Sequence, residues 1–284
     1  DDLVMERFTQ AFWRNHPLGR PILGTKRSVS LLKRDQLADF FDRVYRPANL
    51  VVAAAGHLEH KATSELVHRH FGALAPGRAL KNGGPPRPAA AIVTRSKKEL
   101  EQVHLCMGTR ACSQSHEDRY ATYIMNTVLG GSMSSRLFQN VREKRGLVYS
   151  ISSGVASYSD AGVLTVYAGT SLDSLDEVVR LTVDEFRRMR DEPVPAEELR
   201  RAKDHLKGSL MLSLENTSSR MNHMARQEIY FGRQFTLDEI LEKIEAVSAP
   251  DVQRIAAHIF KGELAVSVLG NLGRYRPKAA HLRV

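Results

Sequence analysis

The most informative part of the chain covers residues 129–149 and reads LGGSMSSRLFQNVREKRGLVY. Two glycines and a serine cluster open it, and apolar residues then recur every three or four positions, which predicts a helix with one buried face. These apolar residues are Met133, Leu137, Phe138 and Val141. Gly146 is a natural end for the helix, and residues 147–153, rich in Val, Ile, Ser and Tyr, predict a strand. Arg142 would then lie on the helix and Tyr149 at the start of the strand.

Residues 134–151, SSRLFQNVREKRGLVYSI, closely resemble the signature of the second homologous domain in the pitrilysin-like (M16) zinc peptidases. That family includes bacterial and mitochondrial processing peptidases and their non-catalytic relatives. Two further segments extend the resemblance, HPLGRPILGT at residues 16–25 and YRPANLVVAAAG at residues 45–56. The resemblance implies an α+β fold built from two homologous domains, each a mostly antiparallel sheet covered by helices.

An internal repeat supports the two-domain interpretation. Residues 36–58 and 251–272 each contain an amphipathic helix that ends in an aromatic residue, Tyr45 or Phe260. A strand pattern L-x-V-x-x-x-G-x-L follows in both, and self-similarity of this kind indicates duplication. In the first copy the apolar residues 50–55 predict a buried central strand. On the duplication reading roughly 120 residues of the first domain precede the repeat and are absent, so we expect an incomplete first domain.

A stretch rich in Pro and Gly marks the expected domain boundary. Residues 75–90 read APGRALKNGGPPRPAA and contain almost no apolar bulk, which is typical of a linker. We therefore predict the C-terminal part of the first domain at residues 1–75, a linker at residues 76–90 and the complete second domain at residues 91–284.

The formal net charge of +9 raises the question of nucleic-acid binding. Residues 79–98 contribute +5 and residues 1–78 contribute +4, while residues 99–284 are neutral overall. No aromatic residues interleave with the basic ones in residues 79–98, as a single-strand-binding surface would require. We interpret the charge as a solvated linker and predict no nucleic-acid partner. The longest apolar run is far shorter than the ~18 residues of a membrane span, so no span is predicted either.

The two cysteines, Cys106 and Cys112, have a spacing that matches no zinc motif and are too few for a disulfide framework. Buried free thiols fit a reducing compartment. We predict a cytoplasmic protein, or one of the mitochondrial matrix if the source is eukaryotic.

Metal-binding motifs are also informative by their absence from this sequence. The pitrilysin-like family places zinc on an inverted H-x-x-E-H helix, in which two His bind the metal and the Glu acts as base. This sequence contains no such motif, and the run His57-Leu58-Glu59-His60 lacks its spacing. By resemblance, the zinc ligands belong to the absent front of the first domain. We therefore expect zinc in the full-length parent and none bound by this fragment.

The resemblance also assigns roles to residues of the second domain. Arg142 would hold backbone carbonyl groups of the substrate, and Tyr149 would donate its hydroxyl to the oxyanion that develops in the transition state. Gly130, Gly131 and Ser132 would border the substrate cleft. From spacing alone, a different interpretation stays open, in which Arg142 is a surface residue of the helix and Tyr149 only anchors the strand.

These observations predict a fragment of a zinc metalloendopeptidase that hydrolyses peptides or presequences in a closed cavity. The fragment would supply substrate-binding and oxyanion-stabilising residues and be inactive alone, and the parent would pair as a homodimer or with a related subunit. The alternative is a non-catalytic partner or structural subunit of the same family. A serine hydrolase is not supported, because the serines at 132–135 have no evident His–Asp relay.

Overall fold

The computed structural model describes residues 1–80 and 83–284, so Lys81 and Asn82 of the predicted linker lie outside the described residues. The chain forms two compact units. Unit 1 comprises Asp1–Pro21, Pro85–Gly208 and Leu237–Val284, and unit 2 comprises Ile22–Gly84 and Ser209–Thr236. These units divide the chain differently from the predicted domains at 1–75 and 91–284, because the first residues of the chain pack with unit 1.

The α-helices are α1 (Asp2–Phe12), α2 (Lys26–Ser30), α3 (Arg34–Val44), α4 (His60–Phe71), α5 (Arg119–Leu129), α6 (Leu175–Asp191), α7 (Ala196–Ser213), α8 (Thr217–Phe231), α9 (Leu237–Glu245) and α10 (Ala249–Ile259). The strands are β1 (Ile92–Ser96), β2 (Val103–Ala111), β3 (Val148–Ser157), β4 (Gly162–Thr170) and β5 (Ala265–Gly270). Within the described parts of the chain, no helix combines the length and the apolar character that crossing a bilayer demands.

The strands of unit 1 form one five-stranded sheet in the order β1-β5-β2-β4-β3. β1 runs parallel to β5, and the other neighbouring pairs are antiparallel. β3 begins in the stretch 147–153 that the sequence predicts as a strand, and it forms a hairpin with β4. Unit 1 therefore confirms the predicted α+β architecture, in which helices cover a mostly antiparallel sheet.

One face of this sheet is covered by a helical layer. α5 contacts β3, α10 contacts β2, and α6 packs against α5 and α10. The apolar residues of α6 recur at helical spacing and are buried, among them Val179 and Phe186. The Phe186 ring stacks on Phe260 just after α10, with 4.5 Å between the ring centroids. Such burial stabilises a domain by roughly 1.5–3 kcal/mol for each large apolar side chain.

The opposite face is partly covered by α1. Its buried residues Val4, Phe8 and Phe12, with Trp13 after them, form a cluster with Cys106 of β2 and with residues of β4 and β5. Side chains alternate along a strand, so the neighbours of Cys106 on β2 point to the helical layer instead. Burial raises the pKa of the Cys106 thiol to about 12, and both cysteines are free.

Unit 2 contains α2, α3, α4 and α8. α3 is the amphipathic helix predicted within residues 36–58, but its apolar side chains are half exposed: Leu37 by 55%, Phe40 by 51% and Phe41 by 53%. Residues 50–55 belong to no strand, and Val51 and Val52 are 45% and 54% exposed. The prediction of a buried central strand there is wrong for the described residues. The matching strand β5 is buried because β1 and β2 flank it, whereas no strand of residues 1–80 and 83–284 pairs with residues 50–55.

Three charged residues connect α5 and α10 in unit 1. Arg254 donates to both carboxylate oxygens of Asp118, at 2.7 Å each, and to Asp251 at 3.1 Å. Asp251 also accepts hydrogen bonds from the hydroxyl and the backbone N–H of Ser248 in the capping box of α10. Hydrogen bonds from Ser248 and Arg254 lower the pKa of Asp251 to about 2.

The α1 cluster leads to a prediction about stability. Phe8→Ala should lower the free energy of unfolding of unit 1 by about 3–5 kcal/mol, because it empties a fully packed site. Phe40→Ala, at a half-exposed ring of α3, should cost far less. Chemical denaturation of both variants measures the difference, and equal effects would show that α1 is not part of the core of unit 1.

The capping box of α10 gives a pH dependence. A carboxyl whose folded pKa is depressed contributes stability above its unfolded pKa near 3.8, and that contribution is lost as the pH falls toward 2. We expect Asp251→Asn to flatten the fall in stability between about pH 4 and pH 2. Denaturation midpoints across this range test the expectation, and identical slopes for both proteins would contradict it.

Candidate substrate-contacting site

The loop after α5 is bound tightly to β3. The backbone N–H groups of Gly130 and Gly131 both donate to the Asn126 carbonyl, at 3.0 and 2.9 Å, and end the helix. Ser153 of β3 donates its N–H to the Gly130 carbonyl at 3.0 Å. A Cβ atom on Gly130 would lie 2.7 Å from that same nitrogen, so the close approach requires glycine. Gly131, next to it, is exposed.

The serines that follow are held by local hydrogen bonds. Ser132 donates its hydroxyl to the Thr127 carbonyl at 3.4 Å and lies 3.2 Å from the hydroxyl of Ser134. Met133 lies in a turn before the helix and is 77% exposed, so its predicted burial is wrong. Met133 is not part of the apolar helix face predicted for it, because the chain becomes helical only at residue 136.

The helix itself contains a π-helical segment, Phe138–Glu143. The Lys144 N–H donates to the Gln139 carbonyl at 3.0 Å, five residues back instead of four. Leu137 and Val141 are fully buried, as the sequence predicts. Single-turn π-segments are rare and occur frequently at functional sites, where the extra residue rotates a side chain to a new direction.

The chain then turns at Gly146 and enters β3 through a bulge. Gly146 has φ +61°, a left-handed conformation that favours glycine. Val148 pairs with Thr170 and Ser150 pairs with Gly169, so Tyr149 is an additional residue without a partner on β4. Bulges of this kind bend the strand and re-aim side chains next to active sites. The Tyr149 side chain is 68% exposed.

The π-helix and the bulge bring Arg142 and Tyr149 together. Arg142 donates from Nε to the backbone carbonyl of Tyr149 at 3.0 Å. Its guanidinium lies over the Phe138 ring, 4.7 Å from the centroid, and Nη1 donates to Glu143 at 3.1 Å. Arg142 therefore stabilises the bulge that exposes Tyr149. The contact joins the guanidinium to the backbone, and both side chains stay accessible.

Two polar contacts that sequence reasoning missed anchor this helix to its neighbours. Arg136 donates through Nε and Nη2 to the carboxylate of Glu198 in α7, with a shortest distance of 2.6 Å. Asn140 donates to Glu185 of α6 at 2.8 Å, and Glu185 is almost fully buried. The partners are 62 and 45 residues apart in sequence, so no local pattern pairs them.

The residues described here do not fit a zinc site. No three His, Cys, Asp or Glu side chains converge on one point within residues 1–80 and 83–284. His60 begins α4, while His57 precedes it in a turn, and the sequence between them lacks the H-x-x-E-H spacing. Arg142, Tyr149 and the glycine loop can bind and polarise a carbonyl group, but they cannot hold a metal.

Solved structures share this fold. A chain of "Complex III2 from Candida albicans, Inz-5 bound" superposes with a TM-score of 0.90 and 20% identity, over 98% of this chain and 69% of that one. The peptidase M16 inactive domain from Pseudomonas fluorescens superposes with a TM-score of 0.87 and 22% identity, over 97% of this chain and 66% of that one. At such identities the likeness concerns the fold alone.

Sequence comparison is more specific. An uncharacterized zinc protease of Mycobacterium tuberculosis is 36% identical over 100% of this chain and 66% of its own length. The uncharacterized zinc protease YmxG of Bacillus subtilis is 37% identical over 96% of this chain and 66% of its own length. The chain thus spans just under two thirds of these relatives. The family profile described as "Peptidase M16 inactive domain" matches residues 32–206. The chain belongs to the M16 peptidase family.

Proposed function

We propose that the parent protein is a zinc-dependent metalloendopeptidase of the processing-peptidase type. It would hydrolyse peptides or presequences in a closed cavity, and this chain would supply substrate-binding and oxyanion-stabilising residues but no zinc ligands. The observation that carries the proposal is the hydrogen bond from Arg142 Nε to the backbone carbonyl of Tyr149, which holds the bulge from which the exposed Tyr149 side chain projects. The relatives' description as zinc proteases supports the same conclusion.

Strand β3 provides a surface on which an extended peptide can bind. It is the last strand in the sheet order, and its ten residues, VYSISSGVAS, include no charged residue and no proline. Natural proteins protect long edge strands with charged residues or proline. Peptide-binding domains leave such an edge open, so that an extended peptide can add to the sheet as another strand. At the other edge, β1 has five residues and includes Arg95. We therefore place the peptide along β3 between Tyr149, at the start of the strand, and Ser153, whose N–H already donates to the Gly130 carbonyl.

Each residue of the pair has a distinct role in this proposal. Arg142 donates to backbone carbonyl groups of the bound peptide, in the way it now holds the carbonyl of Tyr149. The Tyr149 hydroxyl donates to the scissile carbonyl oxygen as negative charge develops there. A donor fixed in advance costs no reorganisation at the moment of reaction, so it stabilises the transition state more than the bound substrate. The loop Gly130–Gly131–Ser132 borders the peptide.

Unit 2 fits an incomplete first domain. Its helix α3 and residues 50–55 correspond in the internal repeat to α10 and β5, whose apolar residues are buried. The side chains of Phe40, Phe41 and Val52 are exposed. In unit 1 the apolar residues at the corresponding places are covered by the sheet and its helices. In the proposed parent, the remaining third of the relatives' length covers them and provides the zinc ligands.

A non-catalytic partner or structural subunit is the second candidate. It is favoured by the fold likeness to a chain of a Candida albicans Complex III2 and by the matched profile, which describes an inactive domain. On either reading we propose that the parent pairs with a second copy or a related subunit. The free thiols fit the predicted cytoplasmic location, or the mitochondrial matrix in a eukaryote.

The proposal is tested on the full-length parent with a basic, presequence-like peptide, with and without a zinc chelator. Tyr149→Phe should lower kcat by roughly 10²-fold with little change in KM, the scale expected for the loss of one oxyanion donor. Arg142→Lys keeps the charge but loses the planar donor set, so its main effect should be a higher KM.

Each result discriminates between the two candidate functions. Chelator-sensitive cleavage that is unchanged in Tyr149→Phe would keep the peptidase and remove this role for Tyr149. A zinc-loaded, folded parent with no cleavage would favour the non-catalytic subunit. As a control, Tyr275→Phe removes a hydroxyl that donates to Asp176 at 2.7 Å, far along the chain from β3, and should leave kcat unchanged.

A further inference from the structure

Asn140 lies where the π-helical segment Phe138–Glu143 departs from α-helical hydrogen bonding. In an α-helix the Lys144 N–H would donate to the Asn140 carbonyl, four residues back. Here it donates to the Gln139 carbonyl instead, at 3.0 Å. The Asn140 carbonyl accepts a hydrogen bond from Arg145 Nη1 at 2.7 Å. A side-chain contact therefore takes the place of the α-helical bond at the point where the helix widens.

The side chain of Asn140 is bonded at both ends of its amide. Its Nδ2 donates to Glu185 Oε1 of α6 at 2.8 Å, and its Oδ1 accepts from Lys144 Nζ at 3.2 Å. An amide group has its donors on one side and its acceptor on the other, so these two contacts fix the direction in which it faces. Asn140 is thus held by its own segment and by α6 at the same time.

Glu185 is a carboxylate in an apolar environment. The buried residues around it on α6 are apolar apart from Thr182, and Glu185 itself is only 5% exposed. Its Oε1 accepts from Asn140 and, at 3.4 Å, from Arg188, whereas Oε2 has no hydrogen-bond partner within residues 1–80 and 83–284. Burying a carboxylate that is only partly hydrogen-bonded costs free energy, which an apolar side chain would avoid. The presence of Glu185 here therefore indicates a role other than stability.

Apolar packing does not determine the position of the π-helical segment on this side. A cavity of about 360 Å³ lies beside the segment, and Arg136, Asn140, Glu185 and Glu198 are among the residues that line it. Atoms separated by a void lose the contacts that would otherwise fix their spacing. The polar contacts at the cavity wall replace them. Arg136 bonds the start of the helix to α7, and Asn140 bonds the π-helical segment to α6.

The register at Asn140 determines where Arg142 points, because Arg142 lies two residues later in the same segment. In the π-helical register, Arg142 Nε lies 3.0 Å from the backbone carbonyl of Tyr149. Residues around a π-turn are spaced differently from those around an α-turn, since five residues separate the bonded groups instead of four. A return to α-helical bonding would therefore move Arg142 relative to the bulge at Tyr149.

We propose that Glu185, acting through Asn140, is a positioning residue that holds Phe138–Glu143 in its π-helical register and so keeps Arg142 bonded to the bulge at Tyr149. Neither Glu185 nor Asn140 contacts the peptide in this account. The inference rests on the proposed function, because the positions of Arg142 and Tyr149 affect cleavage only if these residues act on a peptide. It adds two residues on which that geometry depends.

Exchanging the two functional groups tests the pair in the full-length parent. Asn140→Asp places a second carboxylate against Glu185, and the repulsion should open the contact. Because both Arg142 and Tyr149 would shift, KM should rise and kcat should fall, with kcat/KM reduced by about 10²-fold, the scale of a 1 Å misplacement. Adding Glu185→Gln restores a hydrogen bond in the opposite direction, since the new amide donates to the new carboxylate. The double variant should recover kcat/KM to within about threefold of the wild type.

Amide hydrogen exchange follows the same contact without zinc or cleavage. In Asn140→Asp, exchange within residues 138–149 should become about tenfold faster, because this segment opens locally more often. The double variant with Glu185→Gln should return exchange to the rate of the wild type. Mass spectrometry of peptides from this segment measures both rates.

Two further variants separate positioning from stability. Val179→Ala truncates another buried residue of α6, so it should lower the denaturation midpoint but leave kcat/KM unchanged. If Asn140→Asp does not fold, as judged by circular dichroism, Glu185→Leu decides the question. It replaces the carboxylate by an apolar side chain of similar size, and it should fold but reduce kcat/KM by about tenfold or more.

The outcomes distinguish this inference from the proposed function. Full kcat/KM in Asn140→Asp or in Glu185→Leu would overturn the positioning role, as would a double variant no better than Asn140→Asp. Unchanged exchange in Asn140→Asp would overturn it whether or not the parent cleaves peptides. A parent that cleaves no peptide, but in which Asn140→Asp speeds exchange and Glu185→Gln restores it, would contradict the proposed function and support the control of the π-helical segment by Glu185.

Discussion

The structure of unit 1 depends on how the two faces of its sheet are covered. An apolar sheet face is stable only when another layer excludes water from it. Helices α5, α6 and α10 cover one face, and α1 covers the other face over β1, β5 and β2. The described part of unit 1 leaves the surface of β3 and β4 open near Tyr149 and Ser150. Tyr149, to which we assign a function, lies beside that open strip.

Two departures from regular backbone lie on either side of the turn at Gly146. The π-helix adds a residue to the helical turn before it, and the bulge adds one to the strand after it. Each departure disrupts regular backbone hydrogen bonding, and Arg142 compensates one of them by bonding to the carbonyl of Tyr149. Irregular backbone of this kind persists only when the surroundings determine it, and it clusters at functional sites. The anchoring pairs Arg136–Glu198 and Asn140–Glu185 supply such surroundings.

Membership of the M16 family and the absence of a fitting zinc site among the described residues are compatible facts. The matched profile describes a domain that is inactive, and the relatives described as zinc proteases are longer than this chain. The proposed parent, in which metal binding and substrate contact would be divided between two homologous domains, accounts for both. The exposed apolar residues of unit 2 support the same division, because a surface of this kind needs a covering layer.

Local periodicity was sufficient to predict helices α3 and α10, strands β3 and β5 and the turn at Gly146, because these depend on spacing and on glycine conformation. The family resemblance pointed to Arg142 and Tyr149, but not to the contact between them. That contact joins residues only seven positions apart, but it forms at a bulge that exists because β3 pairs with β4. The helix with the π-segment is held by the distant pairs Arg136–Glu198 and Asn140–Glu185, which no local pattern encodes. The same limit explains the error at residues 50–55. An apolar run becomes a buried strand only when other strands flank it, and this is decided by tertiary structure. The alignment of His104 of β2, Gly169 of β4 and Ser150 of β3 likewise exists only because these three strands pair, which brings residues 65 positions apart into register.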